Sequence, residues 1–496
     1  MLGSTSRVKV LVVGVAVVVG LAGCGPKHAG SSAGMPAATA DYAGLRFVPA
    51  DVSYALVSRR TEDAVLVMRD LADSFGLLAG EDAAHIGSEL AGELGFDPLT
   101  AAGIAEQGVD LTRGFALWSR GIGPNLALPL ADPARFVAMI EGYRSQGVVV
   151  QVQRVDGVEI YTWMPDSDVA LHWAIVDDWL IAHLQFDKEH EADNAWFAAA
   201  MAARGAFGAE ADFAAARDEG SKRVGTPGVV GVVRVPALFA TALGTSWRGC
   251  GDTFGRVGRV LVSAATEGKD ARGAIVAELP GGVDGIRAMQ LLRPVGWEAA
   301  RAQAPLQVEA ALDLRAVAPL WAACLEVPDL ADEPARWGMY GGRAFAYELD
   351  PGDLKGRGAA AVFGEPRAFV EIAEQIPAPD FLRKSRKVAG IAVSEINVPM
   401  MPHLSYAIID TTAVATVDLS IDPLLGPLAA PGDELARLEV HPQKWSEDTW
   451  SQLVGMFITR PVLRERAVRG LRRWSLGSIV ARLEARAVVI DLHGTH

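Results

Sequence analysis

The chain repeats itself, and that limits its architecture more than any other feature. Asp132-Pro133-Ala134-Arg135-Phe136-Val137 is matched by Glu365-Pro366-Arg367-Ala368-Phe369-Val370, a shift of 233 positions (365 less 132). The same shift, without a gap, carries Val155-Asp156-Gly157 onto Val388-Ala389-Gly390 and Trp173-Ala174-Ile175-Val176-Asp177 onto Tyr406-Ala407-Ile408-Ile409-Asp410. Upstream, Phe115-Ala116-Leu117 sits opposite Phe345-Ala346-Tyr347 with a connecting loop three residues different in length. A second, weaker match pairs Val235-Pro236 and Phe239 with His441-Pro442 and Trp445. It also pairs the hairpin-like Val260 to Leu279 with Ile479 to Leu492, the latter with a shorter turn. Self-similarity held in one register means one composite unit present twice. The expected order is B1 (42–205), A1 (225–285), B2 (300–425, a repeat of B1) and A2 (432–496, a repeat of A1).

Local patterns put both helices and strands inside these units. Glu62 to Leu78 has apolar residues at Val65, Leu66, Met68, Leu71 and Phe75, the spacing of one helix face. Pro133 to Tyr143 and Pro366 to Ile376 each open with proline after an acid, which suits a helix start. Val148 to Val152 and Val169 to Val176 are strand-like, and Asp177-Asp178 ahead of Trp179 reads as a hairpin turn. Strands succeed one another without helical crossovers. The fold class expected is α+β, internally duplicated, with curved antiparallel sheets and helices packed on one face.

Half of the residues are hydrophobic, enough for folded cores, and disorder is excluded. Lys plus Arg number 46 against 60 acids, a net charge of -14, so no nucleic-acid partner is expected. At the N-terminus, Arg7 and Lys9 precede an uncharged run from Val10 to Gly23, too short for a membrane span of about 20 residues. The run ends Leu21-Ala22-Gly23-Cys24. This segment resembles the signal peptide and lipobox of bacterial lipoproteins. The resemblance implies cleavage of 1–23, lipid modification of Cys24 and anchoring in the cell envelope, with the membrane as a partner. Gly25 stands where that family carries an inner-membrane retention aspartate, which implies the outer membrane, facing the periplasm, in a Gram-negative cell. Residues 24–41, rich in Gly, Ala, Ser and Pro, read as a flexible tether. Val48-Pro49-Ala50-Asp51 resembles the opening of an uncharacterised family of exported bacterial proteins, which implies an envelope location and no particular reaction.

Catalytic motifs are sparse. Gly30-Ser31-Ser32-Ala33-Gly34 has the nucleophile-elbow spacing but lies in the tether, where the required strand-to-helix turn is not expected. Gly356-Arg357-Gly358-Ala359-Ala360-Ala361 has a dinucleotide-like spacing and reads as a β-turn, because Ala359 to Phe363 is strand-like where that fold needs a helix. No cofactor is expected. The metal candidates are His183, Asp187 and His190, with Glu191 and Asp193 beside them, in a stretch read as a solvated loop after a strand, and the second copy has Thr416 opposite His183. Cys250 and Cys324 form a possible disulfide or are small buried hydrophobes. Trp163, Trp173 and Trp179 cluster around one expected hairpin and are read as core rather than as a sugar-stacking surface.

Arg460 to Arg473 holds six arginines and one acid, Glu465, a local charge of +5. Leu463, Ala467, Leu471 and Trp474 fall on one helical face, so this is read as a basic amphipathic helix. Its Arg464, Arg469 and Arg472 meet either anionic lipid headgroups or an acidic face of the protein itself. Two functions compete. The leading one is a non-enzymatic, lipid-anchored envelope protein that binds another envelope protein, a polysaccharide or an apolar ligand. The alternative is an envelope-polymer hydrolase with a carboxylate or metal centre assembled from distant residues.

Overall fold

The computed structural model describes residues 41–63, 65, 83–121, 123–145, 147–164, 169–186, 194–240, 256–325, 327–350, 355–376, 378–399, 401–430, 432–455, 460–472 and 474–495. Of these, the residues within Met1–Ser246 and Val257–Ala277 form one compact unit. Those within Trp247–Arg256 and Glu278–His496 form another.

The first unit carries β1 (Tyr54–Ser58), β2 (Ala116–Ser119), β3 (Asn125–Pro129), β4 (Val150–Val155), β5 (Val158–Trp163), β6 (Val169–Val176), β7 (Trp179–Phe186), β8 (Val229–Arg234), β9 (Arg259–Glu267) and β10 (Asp270–Glu278). All pair antiparallel in the order β4-β5-β6-β7-β3-β2-β1-β8-β9-β10. The second unit carries β11 (Arg293–Pro294), β12 (Leu306–Ala310), β13 (Met339–Asp350), β14 (Lys355–Gly364), β15 (Arg383–Val388), β16 (Ile391–Ile396), β17 (Leu404–Ile409), β18 (Thr412–Val417), β19 (Leu428–Ala429), β20 (Glu434–Val440), β21 (Leu476–Glu484) and β22 (Ala487–Thr495). Strands β11 and β19 pair with each other. The other ten run antiparallel as β15-β16-β17-β18-β14-β13-β12-β20-β21-β22, the order of the first unit repeated. The fold is α+β and internally duplicated.

The repeat reaches the backbone dihedrals. The β4–β5 turn places Asp156 at φ 50° and Gly157 at 84°; 233 positions on, Ala389 and Gly390 stand at 47° and 86°. Left-handed backbone at both central residues matches the twist of a two-residue hairpin, and a glycine carries the second position without strain. Asp177 and Asp410 both take φ 53° at the next hairpin. The helices Pro133–Ser145 and Pro366–Glu374 begin at prolines of the same register. Phe136 and Ile140 of the first pack on Trp173, Leu180 and Ala182, so this helix covers one face of β6 and β7. The Phe369 ring of the second lies over Gly364.

Two expectations need correction. The hairpins β9–β10 and β21–β22 have equal strands of nine residues and two-residue turns. They align by one shift of 217 (476 less 259), and the second turn is not shorter. Gly356–Ala361 is not a turn but the body of β14. A Cβ on Gly358 would stand 2.4 Å from the carbonyl oxygen of Phe345, so the glycine there permits close approach of β13. Of the helix expected over Glu62 to Leu78, residues 61–63 and 65 are helical and the remainder lies outside the described residues.

Candidate functional site

The strand β12 lies between two unlike faces of the second unit's sheet. Its residues alternate, so Gln307 and Glu309 point one way and Leu306, Val308 and Ala310 the other. On the first face Glu309 is buried and fully engaged. Its Oε2 lies 3.2 Å from Nε of Arg343, and its Oε1 3.2 Å from Nε of Arg301. The Trp297 indole donates to the same Oε1 at 3.1 Å. Arg343 also donates to the carbonyls of Leu292 and Leu291 at 2.8 and 3.3 Å, and Arg301 to Oε1 of Gln307 at 2.6 Å. Burial draws the Arg343 pKa below the usual guanidinium range, against the pull of Glu309. Burial pushes the Glu434 carboxyl up, but its hydrogen bond to Arg437 together with the charges of Arg437, Arg301 and Arg293 outweighs that and holds it low. This face is closed by paired charges and by a core of Trp297, Phe345, Val393, Val414 and Leu424.

The second face is open. The registers place Ala344, Val308, Leu438 and Ile479 side by side on β13, β12, β20 and β21. Val308, Leu438 and Ile479 are 42%, 41% and 45% exposed although they sit on inner strands. Ala360 and Leu492 extend the row at its ends. Two residues further along the same strands, Ala346, Leu306 and Val440 pack against a cluster of Trp445, Trp450 of the helix Glu447–Gly455 and Val468 of the helix Pro461–Leu471. On the other side the neighbouring row is small: Gly342, Ala310, Ala436 and Ala481. In the first unit, by contrast, Ala116 to Ser119 of β2 and Val229 to Val232 of β8 are buried on both faces.

Of the metal candidates, His183 is not in a solvated loop. It lies within β7, between His172 of β6 and Asn125 of β3, and is 1% exposed. The Trp196 ring stacks on it at 5.6 Å, and burial, helped by His172, drives its pKa down to about 3, so the ring is neutral. The neighbouring His172 donates from Nε2 to Oε1 of Gln185 at 2.9 Å. Its Nδ1 lies 2.9 Å from the Thr162 hydroxyl. Asp187 and His190 lie outside the described residues, as do Glu191, Asp193, Cys24 and Cys250, and the side chain of Cys324. Among the described residues no group of three or more His, Cys, Asp or Glu is arranged to hold a metal ion. Trp173 and Trp179 are buried and Trp163 packs in the same core as Trp173.

The basic segment is a helix over Pro461–Leu471. Ala467, Val468 and Leu471 turn inward. Arg472 pairs with Glu447 at 2.9 Å, Arg469 is exposed, and Nε of Arg464 is buried without a hydrogen bond among the described residues. No helix among the described residues is long and apolar enough to cross a membrane. The open row itself escapes sequence reading because Val308 and Leu438 look like any core residue. The registers place them in one row, and their exposure shows that they are not covered.

No family profile matches the chain, and no curated protein matches it. Among solved structures it is similar to the treponemal protein TP0453. In crystal form I the TM-score is 0.27 at 9% identity, covering 48% of this chain and 79% of that one. In crystal form III it is 0.29 at 9% identity, covering 54% and 88%.

Proposed function

We propose that this is a lipid-anchored cell-envelope protein whose second unit binds an apolar ligand on the open face of its sheet. The observation that carries the reading is the row Val308, Leu438 and Ile479. Branched apolar side chains on inner strands are left in water while Gln307, Glu309 and Arg343 on the reverse face are buried. Apolar area left exposed forgoes about 25 cal/mol per Å² of burial, and contiguous exposed apolar surface marks a binding site more often than chance. The Leu21-Ala22-Gly23-Cys24 box supports the envelope address, where acyl chains are abundant.

The test uses the full chain carrying Cys24→Ser, titrated with a fluorescent long-chain alcohol below its micellar concentration. Binding is expected to weaken about tenfold or more in Val308→Glu and in Leu438→Glu, with the thermal transition retained, since the substitutions lie on an exposed face. Unchanged affinity in both folded variants would overturn the reading.

A further inference from the structure

The two copies of the sheet end in unlike strands. In the first unit β4 is the last strand, paired with β5 alone among the described residues, and 233 positions on β15 holds the same place beside β16. An unpaired edge is an open row of N–H and C=O groups, and proteins guard such rows with charge, proline or a bulge. β15 is guarded, with Arg383, Lys384, Arg386 and Lys387 among its six residues. β4 is not. It reads Val-Gln-Val-Gln-Arg-Val, its ladder to β5 is regular, and its one charge, Arg154, is met by Glu159 of β5 at 3.0 Å. Gln151 to Arg154 are exposed, Val152 by 47%, and Val149 just ahead of the strand by 78%.

The hairpin decides which backbone groups face outward. Val155 and Val158 flank the two-residue turn Asp156-Gly157 as a hydrogen-bonded pair. Alternation back along β4 then turns the N–H and C=O of Val150, Val152 and Arg154 away from β5. About Val152 the run from Val149 to Val155 is nearly a palindrome. Set antiparallel to a second copy, Val152 meets Val152, Gln151 meets Gln153, Val149 meets Val155 and Val150 meets Arg154. The three residues with outward backbone groups are thereby brought opposite one another, and no like charges are opposed. The same operation about Ser385 of β15 sets Lys384 against Arg386 and Arg383 against Lys387, which repels.

We propose that the chain self-associates through β4, two copies pairing antiparallel about a two-fold axis at Val152, so that the ten strands of one first unit continue into the ten of the other. Val152 exchanges both backbone bonds with the partner's Val152, and Val150 with the partner's Arg154 and the reverse, about six hydrogen bonds in all. The self-match of the strand commits the edge to a second copy; an extended peptide of another protein is the other occupant, which the test separates.

The Cys24→Ser full chain, in which no acyl group on that residue can drive association, is followed by sedimentation equilibrium from about 1 to 100 μM. A monomer–dimer equilibrium is expected. Val152→Pro removes an N–H that points outward and none that bonds β5, so the hairpin keeps its ladder and the dimer is expected to weaken about tenfold or more. Val152→Lys sets two cations face to face and is expected to do the same. Each is read with its thermal transition retained. Under mild oxidation Val152→Cys is expected to cross-link to itself several-fold more than Gln151→Cys or the parent chain, because opposed residues of a hydrogen-bonded pair have Cα atoms about 5.5 Å apart, within disulfide reach. That measurement stands even where a substitution at Val152 by proline or lysine fails to fold. A parent chain that stays monomeric throughout overturns the proposal, including the case in which β4 accepts a synthetic Val-Gln-Val-Gln-Arg-Val peptide instead. A dimer untouched by both folded Val152 variants, or cross-linking no greater at Val152 than at Gln151, overturns it as well by placing the contact elsewhere.

Discussion

Two buried residues of the first unit pull its stability in opposite directions with pH. His183 has a folded pKa of about 3 against an ordinary 6.5, because burial and His172 disfavour its cation. Between those values the unfolded chain binds the proton and the folded one does not, so stability contributed by His183 falls as pH drops below 6.5, at up to about 1.4 kcal/mol per pH unit. Asp63 is buried as well, and its pKa rises to about 6 from 3.8 through burial, partly offset by Arg60. There the folded state holds the proton longer, so stability contributed by Asp63 grows as pH falls from 6 towards 3.8. Denaturant melts between about pH 4 and 7 are expected to show His183→Gln losing the acid-side decline and Asp63→Asn losing the opposing gain. Parallel curves for wild type and both variants would refute the assignment. Neither role is legible in the sequence: His183 comes after a hairpin and before acids, which reads as a loop, and only pairing with β3 and β6 shows an inner strand. A row of cross-strand polar neighbours has no signature along one strand.

At the scale of elements the sequence is far more legible. The prolines that open Pro133–Ser145 and Pro366–Glu374, and the Asp-Gly and Ala-Gly pairs between β4 and β5 and between β15 and β16, are local signals whose chemistry acts on their own backbone. Turn length at β21–β22 is harder to read, because neither that hairpin nor β9–β10 has a distinctive turn residue beyond Gly268. The extra residues upstream form a longer β13–β14 hairpin, with strands of 12 and 10 residues. The basic helix obeys its apolar period, and its stability rests on the buried side, not the arginines. Val468→Ala is expected to cost about 2 kcal/mol through cavity formation, whereas Arg472→Ala removes only an exposed pair worth at most about 1 kcal/mol. Thermal melts of the two variants check this, and the reverse ranking would mean that charge, not packing, seats the helix.

For the whole molecule, the proposed lipid anchor on Cys24 would set where the duplicated body works. Replacing Cys24 by Ser is expected to move the protein from the membrane fraction to the soluble fraction; detergent-phase partitioning that survives the change would remove the lipoprotein reading. The duplication is visible in the sequence because turns and helix starts recur at one spacing, while the difference between the copies is not. Helix Ala211–Val224 packs on β8 and β9 in the first unit, whereas among the described residues between β18 and β20 the second unit has only a short turn of helix and β19. Sequence comparison reports what two copies share, not where their packing departs.

The ion pairs beneath the open row have a further consequence. Glu309, the neighbour of Val308, is fixed by two guanidinium groups and an indole, each demanding a set direction. A floor held by oriented bonds cannot sag the way one resting on soft aliphatic packing can. A ligand of the proposed kind would therefore do the adapting. Under the apolar-ligand reading proposed above, straight, saturated chains that lie flat across the strands are expected to be favoured over kinked or ring-bearing ones, with selectivity set by the stiffness of the far side of the sheet.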